Sequence, residues 1–393
     1  MTFAANVQAD FGKMDPVTRM TLTELAGFQS IADHHITFSL TLACPLSCSH
    51  CIVNASPLLK HTTMLIESAR DYASQMPGLA AAGIRSMSFT GGEPFLARPQ
   101  LKVMSEAAAA VGIHCGVVTA GHWANKREAA DRLVREFAAI ESWDVSIDSY
   151  HLDWVEMETV VNAICAARDA GRTVSVRFTY TDPPTDRDLA IHKAITKIEG
   201  VKIASQRVRA EGRAEKLKLE KSDKYSPYLK PCLTQGMVVR YDGSVAPCCL
   251  NLVESRDHPF QFGDARTRPL TEVHRDYRVQ PLLKLIRTMG FAELVDWLEA
   301  DGLIDPTDLP DDACDLCSAV MQRPDVTKRL IEIVSEPAME LRIAMLASRV
   351  LGEHEMLHDV QARNAGRFPP HEAKLVDEYL KAIDPDGEVG AYA

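Results

Sequence analysis

The chain has 393 residues, of which 46% are apolar and 25% are charged, and its formal net charge at pH 7 is −11. This composition is typical of a globular protein with a hydrophobic core, and it excludes disordered, collagenous and fibrous chains. Because an acidic surface repels phosphate backbones, nucleic acid is not expected as a partner.

The N-terminus has no basic segment followed by an apolar core, so no secretory signal is predicted. The stretch from His34 to Leu59 lacks Asp, Glu, Lys and Arg, but two prolines and three cysteines within it argue against a membrane span. We therefore expect a soluble, cytoplasmic protein with no membrane partner. Its ten cysteines should stay reduced, so clustered cysteines indicate metal binding or catalysis rather than disulfides.

The first large region alternates apolar runs of strand character with longer amphipathic segments. The predicted strands are residues 36–42, 86–90, 114–119, 143–147, 174–180 and 201–208. The predicted helices between them are residues 64–75, 99–111, 126–138, 154–170 and 186–198. Such βα units build a parallel sheet, either doubly wound or closed into a partial barrel, with functional residues at the C-terminal ends of the strands.

The rest of the chain divides by charge and cysteine content. Residues 207–224 are dense in charges of both signs and are interpreted as a solvated connector. A second region carries five of the ten cysteines, and the cysteine-free remainder has a helical pattern. The predicted units are an N-terminal extension (1–35), an α/β unit (36–210), a small α+β unit (225–321) and a helical C-terminal region (322–393).

A cysteine cluster, CPLSCSHC, directly follows the first predicted strand and contains Cys44, Cys48 and Cys51. Three thiolates on one short loop can bind three irons of a [4Fe–4S] cluster and leave the fourth iron without a protein ligand. The alternative is zinc, which requires a fourth ligand, and His50 is the nearest candidate.

This cluster resembles the CxxxCxxC signature of the radical S-adenosylmethionine (SAM) superfamily. The resemblance implies a partial (β/α)6 barrel in which the open iron binds the amino and carboxylate groups of SAM. Reduction of the cluster then cleaves SAM to a 5′-deoxyadenosyl radical, which takes a hydrogen atom from the substrate. In this family the residue before the third cysteine lies near the adenine, and here that residue is His50.

A second motif, Thr90-Gly91-Gly92-Glu93-Pro94, follows the second predicted strand. It resembles the GGEP motif of the same family, which implies that Gly91, Gly92 and Glu93 bind the methionyl ammonium group of SAM. Taken alone, the segment could instead be a plain strand-to-helix turn.

Further SAM contacts follow from the resemblance. Ser146 and Asp148 match the positions that bind the ribose hydroxyls, and Arg177 is a candidate partner for the SAM carboxylate. The structural alternatives are that Asp148 caps the next helix and that Arg177 pairs inside the barrel. Thr119 is a further candidate pocket residue, and Val208 is a candidate for adenine packing.

The second region contains Cys232 and Cys248 on either side of a predicted hairpin, whose turn is Asp242-Gly243. A CxxC pair, Cys314 and Cys317, follows after a long gap with its own predicted helix (residues 282–298). This pattern resembles the twitch domain, a shortened SPASM domain, and implies one auxiliary [4Fe–4S] cluster on the four cysteines. The alternative is a structural zinc ribbon.

Three cysteines remain. Cys115 and Cys165 are expected to be inert core residues. Cys249 adjoins a proposed ligand, and it is either another such residue or a hydrogen-atom donor to a substrate radical.

The resemblance implies hydrogen abstraction without naming the substrate. A nearby auxiliary cluster could accept an electron, so the leading hypothesis is a two-electron oxidation of a small molecule in natural-product biosynthesis, with flavodoxin or ferredoxin as reductant. The alternatives are crosslinking or epimerisation of a ribosomal peptide, and a non-catalytic zinc-binding scaffold. Only about 35 residues precede the first strand, too few for the leader-binding domain of many peptide-modifying relatives, which favours the small substrate.

Overall fold

A computed structural model describes residues 22–217, 219, 231–234, 236–248, 252, 258–310 and 313–383, with side chains from residue 26 onward. Within these ranges the strands form one sheet. They are β1 (His35–Ser39), β2 (Ser86–Thr90), β3 (His114–Thr119), β4 (Ser142–Ser146), β5 (Thr173–Tyr180), β6 (Lys202–Arg207), β7 (Met237–Arg240) and β8 (Val245–Ala246).

Helices connect the strands and then continue to the end of the described chain. The first seven are α1 (Leu22–Asp33), α2 (Ile66–Ser74), α3 (Met76–Ala81), α4 (Arg98–Ala110), α5 (Arg127–Glu136), α6 (Met157–Asp169) and α7 (Asp186–Ile195). The others are α8 (Leu270–Val279), α9 (Pro281–Thr288), α10 (Ala292–Ala300), α11 (Ala313–Met321), α12 (Pro324–Val334), α13 (Pro337–Leu351), α14 (His354–Arg363) and α15 (Pro370–Ile383).

The strand order distinguishes the two predicted architectures. Strands β1 to β6 are parallel, and each lies beside the next one in the chain. A doubly wound sheet reverses its order at a switch point, whereas an order that never reverses places all the crossover helices on one face. The predicted partial barrel with a helical C-terminal region is therefore confirmed.

The two faces of the sheet differ in chemistry because successive side chains point to opposite sides. One face carries buried apolar residues such as Phe38, Phe89 and Val176, which belong to the main hydrophobic core. The other face, here called the inner face, carries polar residues, among them Ser39, Ser88, Asp144, Ser146 and Arg177. A partial barrel with this alternation presents a polar interior to a ligand.

The predicted hairpin around Asp242-Gly243 is present as β7 and β8. It extends the barrel sheet, since β7 pairs in parallel with β1 and Ser39 is the register partner of Arg240. The cysteine-rich region is thus continuous with the barrel through hydrogen-bonded backbone.

The prediction of a single helix over residues 282–298 is wrong. Two helices, α9 and α10, occupy this stretch, and Gly290 between them has φ of +80°. That conformation suits glycine and is incompatible with a continuing right-handed helix.

A buried network of charges connects the N-terminal helix to the C-terminal region. Asp33 forms ion pairs with Lys284 (2.7 Å) and with Arg287, and Lys284 also contacts Glu353 at 3.2 Å. The side chains of Asp33, Lys284 and Arg287 are fully buried. Gln29 donates to the carbonyls of Cys232 (2.7 Å) and Arg287 (2.9 Å), so the network also holds the backbone of one proposed ligand.

None of the described helices is long and apolar enough to cross a membrane.

Candidate functional site

The first cysteine cluster lies on a loop that closes on itself. The first strand ends at Ser39, three residues earlier than predicted, and the chain turns at the edge of the barrel. The backbone N–H of Cys44 donates to Ser56 (3.1 Å), and the N–H of Ser56 donates to Leu42 (3.1 Å). Cys44 and Cys48 are almost fully buried, and Cys51 is half-buried. The loop therefore presents three free thiols in one enclosed space.

Burial makes these thiols weak acids. It raises the pKa of Cys44 to about 12, with the charges of Glu93 and Cys51 acting in the same direction. Burial and the carboxylate of Asp148 likewise raise the pKa of Cys48 far above its usual value, while Arg213 opposes the rise at both cysteines. Adjacent thiols held protonated in this way become ligands when a metal centre supplies positive charge, so the donor set fits a bound metal cluster.

The two glycines of the GGEP motif allow close approach of backbones. A Cβ at Gly91 would collide with the carbonyl oxygen of Thr41, and a Cβ at Gly92 would collide with that of Ala43. Gly91 also has φ of +130°, a conformation that L side chains rarely adopt. The N–H of Gly92 donates to Thr41 (2.5 Å), so the motif packs directly against the start of the cysteine loop.

Glu93 is completely buried, and its carboxylate already has protein partners. It accepts hydrogen bonds from the hydroxyl of Thr119 (2.9 and 3.0 Å), the N–H of Ala120 (3.0 Å) and the N–H of Phe95 (3.2 Å). The side chain therefore joins the C-terminal ends of β2 and β3 at the barrel mouth. Thr119, a predicted pocket residue, is its neighbour.

Asp148 organises an aromatic group beside the loop. Its buried carboxylate accepts from the N–H groups of Tyr150 and His151 (3.0 Å each) and lies 2.8 Å from Nδ1 of His151 and 3.5 Å from Nε2 of His50. Although burial acts to raise it, the pKa of Asp148 is held far below its usual range by these histidines. His50 stacks on Tyr150 with ring centroids 4.6 Å apart.

Among the residues that the structure describes, two histidines of this group and one cysteine of the loop could bind a single metal ion. Ligand atoms of Cys48, His50 and His151 all lie within 4.8 Å of one another. Cys44 and Cys51 are not part of that group, so a single ion bound there would use one thiol of the three. The zinc alternative thus predicts a different ligand set from the cluster.

Ser146 and Arg177 are register partners on β4 and β5 and lie on the inner face. Arg177 forms an ion pair with Asp144, with Nε 3.0 Å from the carboxylate, which is the internal pairing considered from the sequence. Both side chains of the pair remain partly exposed. Val208 is half-buried just beyond β6, where its N–H donates to Tyr180 (2.8 Å).

In the second cluster, Cys232, Cys248 and Cys317 are partly buried and pack against the main hydrophobic core. Cys317 is half-buried, and the pKa of its thiol is raised by desolvation and by the charges of Cys232, Cys248 and Cys314. Cys232 is fixed through its backbone, which donates to Ile286 (2.7 Å). Among the remaining cysteines, Cys249 lies outside the described residues.

Cys115 is a buried core residue whose thiol lies 3.7 Å from the carbonyl of Ser105, and Cys165 is half-buried on α6.

Sequence reasoning missed the segment of residues 211–214. The interpretation of residues 207–224 as a solvated connector is wrong for this part, since Glu211 and Ala214 are buried. Arg213 donates to the carbonyls of Cys48 and Ala55 on the cysteine loop. The available signal was the glycine inside a run of charges, which marks a close backbone approach.

Two family profiles match the chain. The radical SAM superfamily profile matches residues 38–153. The profile of SPASM, an iron–sulfur cluster-binding domain, matches residues 231–293. The resemblance predicted from the motifs is thereby confirmed.

The chain is also similar to individual proteins. It is 22% identical over 310 residues to the putative peptide biosynthesis protein YydG of Bacillus subtilis, across 72% of this chain and 89% of that protein. It is 27% identical over 177 residues to GTP 3′,8-cyclase of Synechococcus elongatus, across 44% of this chain and 49% of that enzyme. The structure of native anSMEcpe with bound AdoMet has the same fold, with a TM-score of 0.50 at 14% identity, across 77% of this chain and 99% of that one.

Proposed function

Since the chain carries a radical SAM domain followed by a SPASM iron–sulfur cluster-binding domain, we propose that it modifies a peptide by abstracting a hydrogen atom from it. The two domains imply a [4Fe–4S] cluster with SAM in the first and auxiliary iron–sulfur chemistry in the second. The observation that carries the proposal is the enclosed three-cysteine loop packed against the GGEP backbone at the mouth of a polar barrel.

We assign the ligands as follows. Cys44, Cys48 and Cys51 hold the first cluster, and the auxiliary cluster is held by Cys232, Cys248, Cys314 and Cys317. When bound and reduced, the first cluster with SAM supplies a 5′-deoxyadenosyl radical. We further propose flavodoxin or ferredoxin as reductant, the cytoplasm as location, and the domain limits predicted from the sequence.

The barrel interior supports a polar substrate. The inner face offers hydroxyls, such as those of Ser39 and Ser88, and the partly exposed pair of Asp144 and Arg177. These groups accept and donate the hydrogen bonds that amide groups require, and the ion pair can exchange its internal contact for a charged substrate group. His50 and Tyr150 form a stacked aromatic surface beside the loop, which suits the adenine ring of SAM.

A peptide substrate is favoured by the similarity to YydG, a putative peptide biosynthesis protein, over 89% of that protein's length. This reverses the preference for a small molecule that the short N-terminal extension suggested. Oxidation or crosslinking, with the auxiliary cluster as electron acceptor, removes two hydrogen atoms and lowers the peptide mass by about 2 Da. Epimerisation leaves the mass unchanged and needs a hydrogen donor, for which Cys249 is the candidate.

The first experiment measures metal content after anaerobic reconstitution. We expect about eight irons and as many sulfides per chain in the wild type, and about four in the Cys44/Cys48/Cys51→Ala variant. About one zinc and no labile sulfide in the wild type, with loss of that zinc in His151→Asn, would instead support the single-ion site at Cys48, His50 and His151.

The second experiment identifies the substrate class by isotope transfer. The reconstituted protein is reduced with SAM in the presence of either a deuterated peptide library or a set of deuterated polyols, and deuterium is measured in the 5′-deoxyadenosine formed. Deuterium from peptides alone supports the proposal, while deuterium from polyols alone refutes the peptide substrate. The triple cysteine variant is the control and should form no 5′-deoxyadenosine.

A further inference from the structure

The segment of residues 211–214, here called the bridging segment, follows β6 after three residues and contacts the first cysteine loop. The Nε of Arg213 donates to the carbonyl of Cys48 (2.8 Å), and its Nη1 donates to that of Ala55 (2.6 Å). The backbone N–H of Arg213 donates to the carbonyl of Cys51 (3.0 Å). One residue therefore donates hydrogen bonds to three carbonyls of the loop.

Gly212 brings the segment this close. Its φ is +57°, and a Cβ there would lie 2.5 Å from the carbonyl oxygen of Ile52 and 2.7 Å from that of Cys51. Both are rigid backbone atoms, so no side chain fits at this position without displacing the loop.

The bridging segment begins with a buried acidic residue. Glu211 is buried, and its charge acts on the thiol of Cys317. The N–H of Ala214 donates to the carbonyl of Glu211 (3.0 Å), which fixes the segment as one turn. The segment therefore carries an anion before Gly212 and, after it, a cation that is directed to the first cysteine loop.

We propose that Arg213 is a positioning residue for the radical SAM cluster: its guanidinium, bound to the carbonyls of Cys48 and Ala55, holds the loop backbone in the conformation that accepts the cluster. That the loop binds a cluster rests on the proposed function, whereas the stabilisation of the loop by Arg213 does not. A charged hydrogen bond contributes more than a neutral one, and two of the three bonds come from the guanidinium.

The first test is hydrogen exchange in the metal-free protein. In Arg213→Gln we expect amides of residues 44–56 to exchange about tenfold faster or more, with no change in β5. The lysine of Arg213→Lys can reach one carbonyl, so its exchange rates should lie between those of the wild type and Arg213→Gln. Lys216→Gln removes an exposed cation four residues from Gly212 and should exchange at the wild-type rate. Unchanged exchange in Arg213→Gln overturns the proposal, whatever the fate of the proposed function.

The second test reads the cluster itself. After reconstitution, Arg213→Gln should retain about four irons of about eight, and the electron paramagnetic resonance signal that responds to SAM should be lost. The auxiliary signal should persist, which shows that the chain is folded. Full iron content with an unchanged SAM-responsive signal in Arg213→Gln also overturns the proposal. A wild type without iron would instead refute the proposed function, and the exchange test would then decide whether Arg213 holds the loop.

Discussion

Replacing Asp33 by Asn should destabilise the protein strongly, because it removes the negative charge between two buried cations. Lys284 and Arg287 both contact Asp33 from helix α9, and the three side chains have no solvent exposure. Glu353 contacts Lys284 at 3.2 Å and also forms an ion pair with a third cation, Arg278, at 2.5 Å. The substitution therefore leaves a buried positive charge without compensation.

The size of the effect follows from burial. Removing one partner of a buried ion pair costs about 3–5 kcal/mol of unfolding free energy, while an exposed pair contributes about 0–1 kcal/mol. Asp153→Asn is the matched control, since its pair with Arg187 is about half exposed on both sides. Adding Lys284→Met to Asp33→Asn should recover part of the loss, because it removes one of the uncompensated cations.

The assay is urea unfolding of the metal-free protein, followed by circular dichroism and by tryptophan fluorescence so that coincident transitions can be checked. Burial acts to raise the pKa of Asp33, but the charges of Arg287 and Lys284 outweigh burial and hold that pKa well below its usual value. Its stabilising contribution is therefore complete above the unfolded pKa and is lost as the pH falls through the lower, folded pKa. A loss in Asp33→Asn no larger than in Asp153→Asn at pH 7 would refute the reasoning.

Three other predictions follow from single sites. Gly91→Ala and Gly92→Ala should each lower iron retention after reconstitution, because the new Cβ collides with the backbone at residues 41 and 43. The control is Gly27→Ala, whose new Cβ would have nothing within 4 Å and which should be neutral or stabilising by up to about 1 kcal/mol. Equal iron content in all three variants would contradict this prediction. His274 is buried and its pKa is lowered to about 4, so the neutral form is favoured in the folded state. The free energy of unfolding should therefore fall as the pH drops from about 6.5 to 4. His274→Gln should reduce this pH dependence, as measured by urea unfolding at a series of pH values. Asp148→Asn removes the charge that His50 and His151 face and should weaken SAM binding to the reconstituted protein by about tenfold, on the scale of one charged hydrogen bond, with little change in iron content; unaltered SAM affinity in a binding titration would show that the group has no part in the SAM site.

Local patterns predicted most of the barrel and the chemistry of its loop. β2 and β3 have the predicted bounds because their alternating apolar residues are bounded by turn residues on both sides. The spacing of Cys44, Cys48 and Cys51 and the GGEP motif are contiguous in sequence, so they could be recognised before any folding was considered. The predicted hairpin at Asp242-Gly243 was equally local, because its turn chemistry is contained in two residues.

Contacts between residues far apart in the chain could be found only from the tertiary structure. Arg177 pairs with Asp144, Glu93 is joined to Thr119, and Arg213 holds a loop more than 150 residues earlier, and none of these pairings has a spacing that a sequence pattern could reveal. The pairing of β7 with β1, which joins the cysteine-rich region to the barrel, also depends on the sheet that the rest of the chain forms. The sequence by itself therefore determined which residues can perform the chemistry, whereas packing decided which of them are committed to partners inside the protein and which face the barrel interior.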